Sequence, residues 1–375
     1  MSKKKKTVFE KEPPRHEYSE DLRKLFLFAK RESGKDPFSI VKEYWVLGRG
    51  DRKLTLNDYF LYGLYDDKKY PMEAKSRFIS EKLHWPITRK CCDLCWWALT
   101  EDKWISYNLL ARFGIKTPDT IGVIDQSPRL FGSDHKITSP TELKAFLKQT
   151  DSYPIFGKPN RGLGSAGALV ITGIDDTNVF LDQSEPLTFE RFFTEIIGNT
   201  TYLLQKFIEN HPQIKAFTKY VATVRTINFV GTDFLATPFC LIKIPSSTNI
   251  ADNYWRTGNM IADVDPESGV IRRAIRGKGI EIEELETHPE TGDKLVDLAL
   301  PHWDRVRHIN EACARLFAPV RYHSLDIALT SEGPVVVEVN IGGSFVLPQL
   351  ASGTGLLTDE VRKFFQSCGW KFRSK

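Results

Sequence analysis

Asp326, Glu338 and Asn340 carry oxygen donors in a stretch that otherwise reads as two apolar strands, "YHSLDIALTSEGPVVVEVN". Side chains alternate across a strand, so Val335, Val337 and Val339 are expected on one face and Val336, Glu338 and Asn340 on the other. In the preceding strand Asp326 takes the face opposite Leu325 and Ile327. A hairpin turn centred on Glu332 in "SEG" sets Asp326 directly opposite Glu338, so the two carboxylates share a face. Like charges placed this way repel, and something cationic must stand between them. Such donors suit Mg2+, which takes one or two carboxylates and completes its shell with substrate phosphates. A neighbouring Arg or Lys is the other way to relieve the pair. A metal there requires a phosphate site elsewhere in the chain.

"IFGKPNRGLGSAGALVI" offers one. Lys158 ends a strand, and Arg161, Gly162, Gly164, Ser165, Ala166 and Gly167 lead to the next. Small residues let backbone N–H groups approach phosphate oxygens, and a lysine adds a point charge. The order differs from a P-loop, whose lysine follows the glycines and opens a helix. An ordinary Gly-rich hairpin loop has the same composition, so its companions matter. Lys103 in "EDKW" precedes it. After it comes "YLLQKFIENHP", an apolar strand ending in Gln205, Lys206, Phe207 and Ile208, suited to a backbone edge that hydrogen-bonds a flat base.

These residues need elements to hold them. Residues 17–100 read as a mainly helical, aromatic-rich region, "DLRKLFLFAKRES", "LNDYFLYGLYDD" and "KSRFISEKLHWP" among its segments, and "DLCWWALTEDKW" is expected as one helix. From residue 101 short strands alternate with helices. "SPTELKAFLKQ" has Ser139 as N-cap, Pro140 at the first helical position and Glu142 three residues after the cap. "TYLLQKFIE", "VATVRTINFVG" and "FLATPFCLIKI" read as strands, a polar loop runs from 245 to 262, and "RVRHINEACARLFA" repeats apolar residues at helical spacing. The pattern predicts an α+β architecture in two lobes behind a helical N-terminal region. Its boundaries are a basic flexible tail over 1–16, the helical region over 17–100, a first lobe over 101–208 and a second lobe over 209–375.

Composition bounds what such a molecule does. At 375 residues, 41% hydrophobic and 12% aromatic, the chain supports large cores. Its formal charge of +4 is small, and four consecutive lysines near the start read as a solvated arm, with a weak membrane-surface contact as the alternative. No stretch has the length of a membrane-spanning helix, and no signal-peptide core is present. With scattered thiols, this gives a cytoplasmic expectation. Cys92 and Cys95 have the spacing of half a zinc or redox site, but no second pair follows, so Cys91, Cys92 and Cys95 read as a buried helical cluster. Arg49, Gly50 and Asp51 read as a turn. The absence of a dense basic, aromatic-interleaved run argues against nucleic acid as a partner.

Over residues 101–355 the sequence resembles the ATP-grasp superfamily, in particular its sugar-transfer-associated group, related to α-L-glutamate ligases. The resemblance implies the ATP-grasp fold, two α+β lobes sandwiching ATP. It implies that Lys103, Lys158 and the loop Gly162, Gly164, Ser165, Ala166 and Gly167 contact phosphates. It also places the adenine on the backbone of Gln205, Lys206, Phe207 and Ile208, one or two Mg2+ ions on Asp326, Glu338 and Asn340, and Arg225 near the transferred phosphoryl group. Glu209 or His211 is the ribose candidate. Lys243, Asn253 and Arg256, with Gly342, Gly343 and Ser344, are substrate candidates; Asp252, Gly258 and Asn259 belong to the same 245–262 loop. The implied activity is that of an Mg-dependent, ADP-forming ligase. It joins a small-molecule carboxylate to an amine or sugar acceptor through an acyl phosphate, in polysaccharide, amino-acid or sugar-acid modification. A small-molecule kinase and a non-catalytic nucleotide-binding protein are the alternatives on the same fold.

Overall fold

The computed structural model describes residues 20–49, 51–162 and 164–372. The expected tail over 1–16 and Gly50 of the Arg49–Asp51 turn lie outside the described residues. Among the described residues fourteen strands form two seven-stranded sheets, with a helical region preceding them, which is the expected α+β plan.

The first sheet holds β1 (Thr120–Ile124), β2 (Lys136–Ile137), β3 (Ile155–Pro159), β4 (Leu169–Ile174), β5 (Asn178–Leu181), β6 (Leu187–Thr188) and β7 (Tyr202–Lys206), in the order β2-β1-β7-β3-β4-β5-β6. The helix Pro140–Gln149 starts as its sequence dictates, with the Ser139 side chain accepting from the Glu142 N–H. Leu143 and Leu147 on its inner face pack with Ile124, Ile155 and Leu204 of the sheet.

The second sheet holds β8 (Thr223–Val230), β9 (Leu235–Ile244), β10 (Met260–Val264), β11 (Ile271–Arg276), β12 (Glu283–Leu285), β13 (Tyr322–Thr330) and β14 (Gly333–Ile341), in the order β12-β11-β10-β9-β8-β13-β14. The expected loop over 245–262 therefore ends early, because Met260 already pairs with Ile244. The helix Trp303–Leu316 covers one face, where Val306 and Cys313 meet Val224, Ile242, Leu325 and Ile327. On the other face Leu241, Ile261 and Ile275 share a core with Leu25, Ile40, Leu47 and Phe60 from the N-terminal helices. The N-terminal region is thus a layer of the second lobe. Among the described residues no helix is long and apolar enough to cross a membrane.

Two local expectations give way. Residues 93–104 are not one helix: the helix His84–Cys91 stops where Cys92 bridges Val320, a tight turn at Leu94–Trp96 runs into the short helix Trp97–Glu101, and another helix starts at Lys103. Asp93 and Asp102 each cap a new start, Asp102 accepting from the Ile105 N–H at 3.1 Å. Cys91 and Cys92 are buried as expected, whereas Cys95 is exposed.

The β13–β14 hairpin also differs. Thr330 pairs with Gly333, so the turn has two residues, Ser331 and Glu332, and is not centred on Glu332. Strict alternation from that turn sends Glu338 to the core face. A bulge prevents it: Ile327 pairs with Val336 while Asp326 pairs with Glu338, leaving Val337 as the extra residue. Val336 consequently joins Val339 in the core, against the expected alternation, and Glu338 still faces Asp326's side.

Candidate active site

Three neighbouring strands carry the charged wall. Arg225 on β8 pairs in register with Asp326 on β13, which pairs with Glu338 on β14. Arg225 grips Asp326 with two hydrogen bonds, Nε to Oδ1 at 2.8 Å and Nη2 to Oδ2 at 2.7 Å. Lys243 Nζ on β9 reaches Asp326 Oδ2 at 3.1 Å and Asp252 Oδ2 at 3.0 Å. Lys103 Nζ stands 3.0 Å from Glu338 Oε1. Burial alone pushes the Asp326 carboxyl up, yet Arg225 and Lys243 outweigh it and hold the group well below its usual range. Lys103 does the same for Glu338. The like-charged pair is relieved by side-chain cations of the protein itself.

Asp326, Glu338 and Asn340 still present an all-oxygen set, and Asn340 Nδ2 lies 3.5 Å from Asp326 Oδ2. Two ionised carboxylates and an amide oxygen gathered on one face fit Mg2+.

Lys158 ends β3 inside the cavity. Burial lowers its ammonium to about 8, against the pull of Glu338, Asp326 and Asp252. Its Nζ donates to Tyr107 Oη at 2.7 Å, and Tyr107 Oη donates to the Val337 carbonyl at 2.6 Å. The bulge residue therefore turns a ladder carbonyl toward the lysine.

The Gly-rich loop closes over this wall. Lys103 Nζ donates to the Gly162 carbonyl at 3.1 Å, and Asn253 Nδ2 to the Gly164 carbonyl at 2.9 Å, so the 245–259 loop touches the Gly-rich loop across the lobes. Gly164 and Ser165 have φ of 65° and 59°, the left-handed region in which glycine is at ease.

One cavity of about 420 Å³ unites these parts. Lys103, Lys158, Gly162, Gly164, Ser165, Ala166, Gln205, Lys206, Phe207, Ile208, Arg225, Lys243, Asn253, Asp326, Glu338, Asn340 and Ser344 all line it. Gly342 and Gly343 line a second cavity of about 190 Å³ that shares the Lys103, Arg225, Glu338 and Asn340 wall. Gly167 faces away, its carbonyl accepting from Tyr202 Oη and its Cα so close to that ring that a Cβ would stand 2.7 Å from the hydroxyl. Lys206 N–H is spent on the Asp119 carbonyl, and the Gln205 side chain donates to Thr120, so the hinge edge open to a base is narrower than expected. Arg256 is outside both linings. Asn259 pins its loop, binding the Ala251 and Asn253 carbonyls and the Ser246 N–H. Glu209 pairs with Lys215 and His211 caps the helix Pro212–Lys215, so neither reaches the cavity.

Sequence reasoning missed Tyr107, Glu81 and His84. Tyr107 sits one helical turn after Lys103, a spacing that places both on one face. Glu81 and His84 come from the helical region and hold the loop after Asn340. Glu81 Oε2 accepts the Phe345 N–H at 2.7 Å and the Val346 N–H at 3.1 Å, and His84 Nε2 accepts the Ser344 N–H at 3.2 Å. No local motif announces them.

Residues 86–364 match a family model described as sugar-transfer associated ATP-grasp. No curated protein matches the chain. Solved structures to which the chain shows similarity include the VanG D-Ala:D-Ser ligase from Enterococcus faecalis, 13% identical, covering 73% of this chain and 64% of its own, TM-score 0.41. The D-alanine–D-alanine ligase from Bacillus anthracis is 17% identical, covering 72% and 67%, TM-score 0.38. A biotin carboxylase from Campylobacter jejuni is 12% identical, covering 74% and 48%, TM-score 0.39. The chain thus spans 64% of the length of the first of these.

Proposed function

The chain belongs to the sugar-transfer associated ATP-grasp family, and on that footing we propose that it is an ATP-dependent, ADP-forming ligase. It activates a small-molecule carboxylate as an acyl phosphate and passes the acyl group to an amine or sugar acceptor. The observation that carries this reading is the convergence of Lys103, Lys158, Arg225 and Lys243 with Asp326, Glu338 and Asn340 on one cavity. Five cations, Lys103, Lys158, Lys206, Arg225 and Lys243, against the four carboxylates Glu81, Asp252, Asp326 and Glu338 leave the lining net positive, as a polyphosphate requires.

The carboxylate oxygen attacks the γ-phosphorus and ADP leaves; the acceptor then attacks the acyl carbon and phosphate leaves. Such chemistry needs positioning and charge neutralisation more than proton transfer. Lys103, Lys158 and the Gly162–Ala166 loop hold the phosphates, Phe207 and Ile208 offer backbone to the base, and Arg225 and Lys243 neutralise the transferring phosphoryl group. Asp326, Glu338 and Asn340 would hold Mg2+, which supplies charge neutralisation on the phosphate oxygens when bound. The free thiols fit a cytoplasmic setting, and the family description fits a role in sugar-acid or polysaccharide modification.

The test is an ADP-release screen over amino acids and sugar acids with hydroxylamine as trap. Carboxylate-dependent ADP with hydroxamate is expected. A phosphorylated alcohol without hydroxamate would overturn the ligase reading in favour of a kinase.

A further inference from the structure

We propose that the second cavity, resting on the ligase reading above, binds the carboxylate substrate and selects one that carries an amino group. At about 190 Å³ it is smaller than the roughly 300–1,000 Å³ of drug-sized ligand sites, room for a molecule of amino-acid or amino-sugar-acid size. Its two ends carry different groups. The wall shared with the nucleotide cavity brings Lys103 and Arg225, beside Glu81 and Glu338, and its cations would receive an anionic head. The far wall, outside the nucleotide cavity, comes from the N-terminal layer and brings the carboxylate of Glu101.

These acids are held in place. Glu101 Oε1 accepts from Trp97 Nε1 at 2.8 Å, and Trp97 stacks on Trp85 with centroids 5.2 Å apart and planes at 16°. Glu81 is fixed by the Phe345 and Val346 N–H groups. His84 is kept neutral by burial, which lowers it to about 4, and burial also raises Glu81 to about 7, so Glu101 is the carboxylate left to meet an ammonium. Between the two ends Ser324 lines the cavity, 1% exposed, with no hydrogen-bond partner for its Oγ. A buried hydroxyl without a partner points to one supplied by a ligand. An anionic head and an ammonium tail match the two ends, and a polar body satisfies Ser324.

The test is calorimetric binding to the full chain with Mg2+ and a non-hydrolysable ATP analogue, followed by ADP release with ATP. The probes are alanine and glutamate in both enantiomers and 2-amino-2-deoxyglucuronic acid, beside propionate, glutarate and glucuronic acid. At least one amino-bearing probe is expected to bind tenfold or more tightly than its amine-free counterpart. Glu101→Gln, which keeps an acceptor for Trp97, is expected to raise the KM of that probe about tenfold without moving the Kd of ADP. Ser324→Ala is expected to raise the same KM while Tm holds or rises, since an unpaired buried hydroxyl is removed. No binding by any amino-bearing probe, or equal binding by the amine-free acids, overturns the proposal. If an amine-free acid alone drives hydroxamate formation, the ligase reading stands and this proposal falls. If an amino-bearing probe binds but yields neither ADP nor hydroxamate, the site stands and the ligase reading falls.

Discussion

Asp326 answers to two demands, and they are separable by substitution. Its carboxylate is the shared partner of half-buried Arg225 and buried Lys243. Asp326→Asn removes that charge and strands Arg225, while Lys243 keeps Asp252, and breaking a buried pair this way costs about 3–5 kcal/mol. A large fall in Tm together with loss of Mg-ATP turnover is expected, read by thermal denaturation and ADP release. Glu338→Gln touches only the half-buried contact with Lys103, so a Tm loss of about 1 kcal/mol equivalent with the same loss of turnover is expected. Turnover surviving both changes overturns the metal assignment. Asp326 and Glu338 were legible because a carboxylate inside an apolar strand is conspicuous. Glu81 was not, because an acid near a helix start is ordinary until the loop it grips is known.

The β14 bulge decides which face Glu338 takes. Deleting Val337 leaves Val336 opposite Ile327 and Glu338 opposite Asp326 in a regular ladder but removes the carbonyl that accepts from Tyr107 Oη, so weaker ADP binding by calorimetry is expected. Inserting one glycine between Ser331 and Glu332, beyond the bulge, is expected to leave the ADP Kd within about twofold. The two variants change chain length by one residue each in the same hairpin, so length alone cannot account for different outcomes. Gly342 has φ of 76°, and a Cβ there would stand 2.5 Å from His84 Nε2. Gly342→Ala is expected to lower carboxylate-dependent turnover tenfold or more while ADP binding holds. Strand identity was readable from apolar runs; the bulge was not, because an extra valine among valines leaves no compositional trace. Facing carboxylates were anticipated from a turn one residue too long, and the bulge made up the difference.

Across the molecule, buried histidines set the acid limit. Burial lowers His84 and His323 to about 4, so each is neutral in the folded chain and charges on unfolding below 6.5. The unfolded state then binds more protons, and stability present above 6.5 is lost as pH falls toward 4, by up to about 3 kcal/mol per histidine. Glu81 runs the other way: burial raises it to about 7, so its contribution is present below 4.5 and lost as pH rises through 7. Tm is therefore expected to fall between pH 6.5 and 4, and to fall more steeply in Glu81→Gln, where the opposing group is gone. Equal slopes in the two proteins refute this balance. The two lobes were legible from the alternation of strand and helix patterns after residue 101. The fusion of the N-terminal helices with the second sheet was not, because amphipathic helices disclose an apolar face without disclosing what covers it.

That fusion separates what the two walls of the paired cavities descend from. The strands β8, β13 and β14 carry Arg225, Asp326, Glu338 and Asn340, while residues 81–101, a single earlier stretch of chain, supply the N-terminal side of the second cavity. A lineage can rewrite that stretch and leave the hairpin untouched. Under the proposed reading, fuel and cargo would be met by different segments, and exchanging residues 81–101 between relatives becomes a way to redirect the product while keeping the engine.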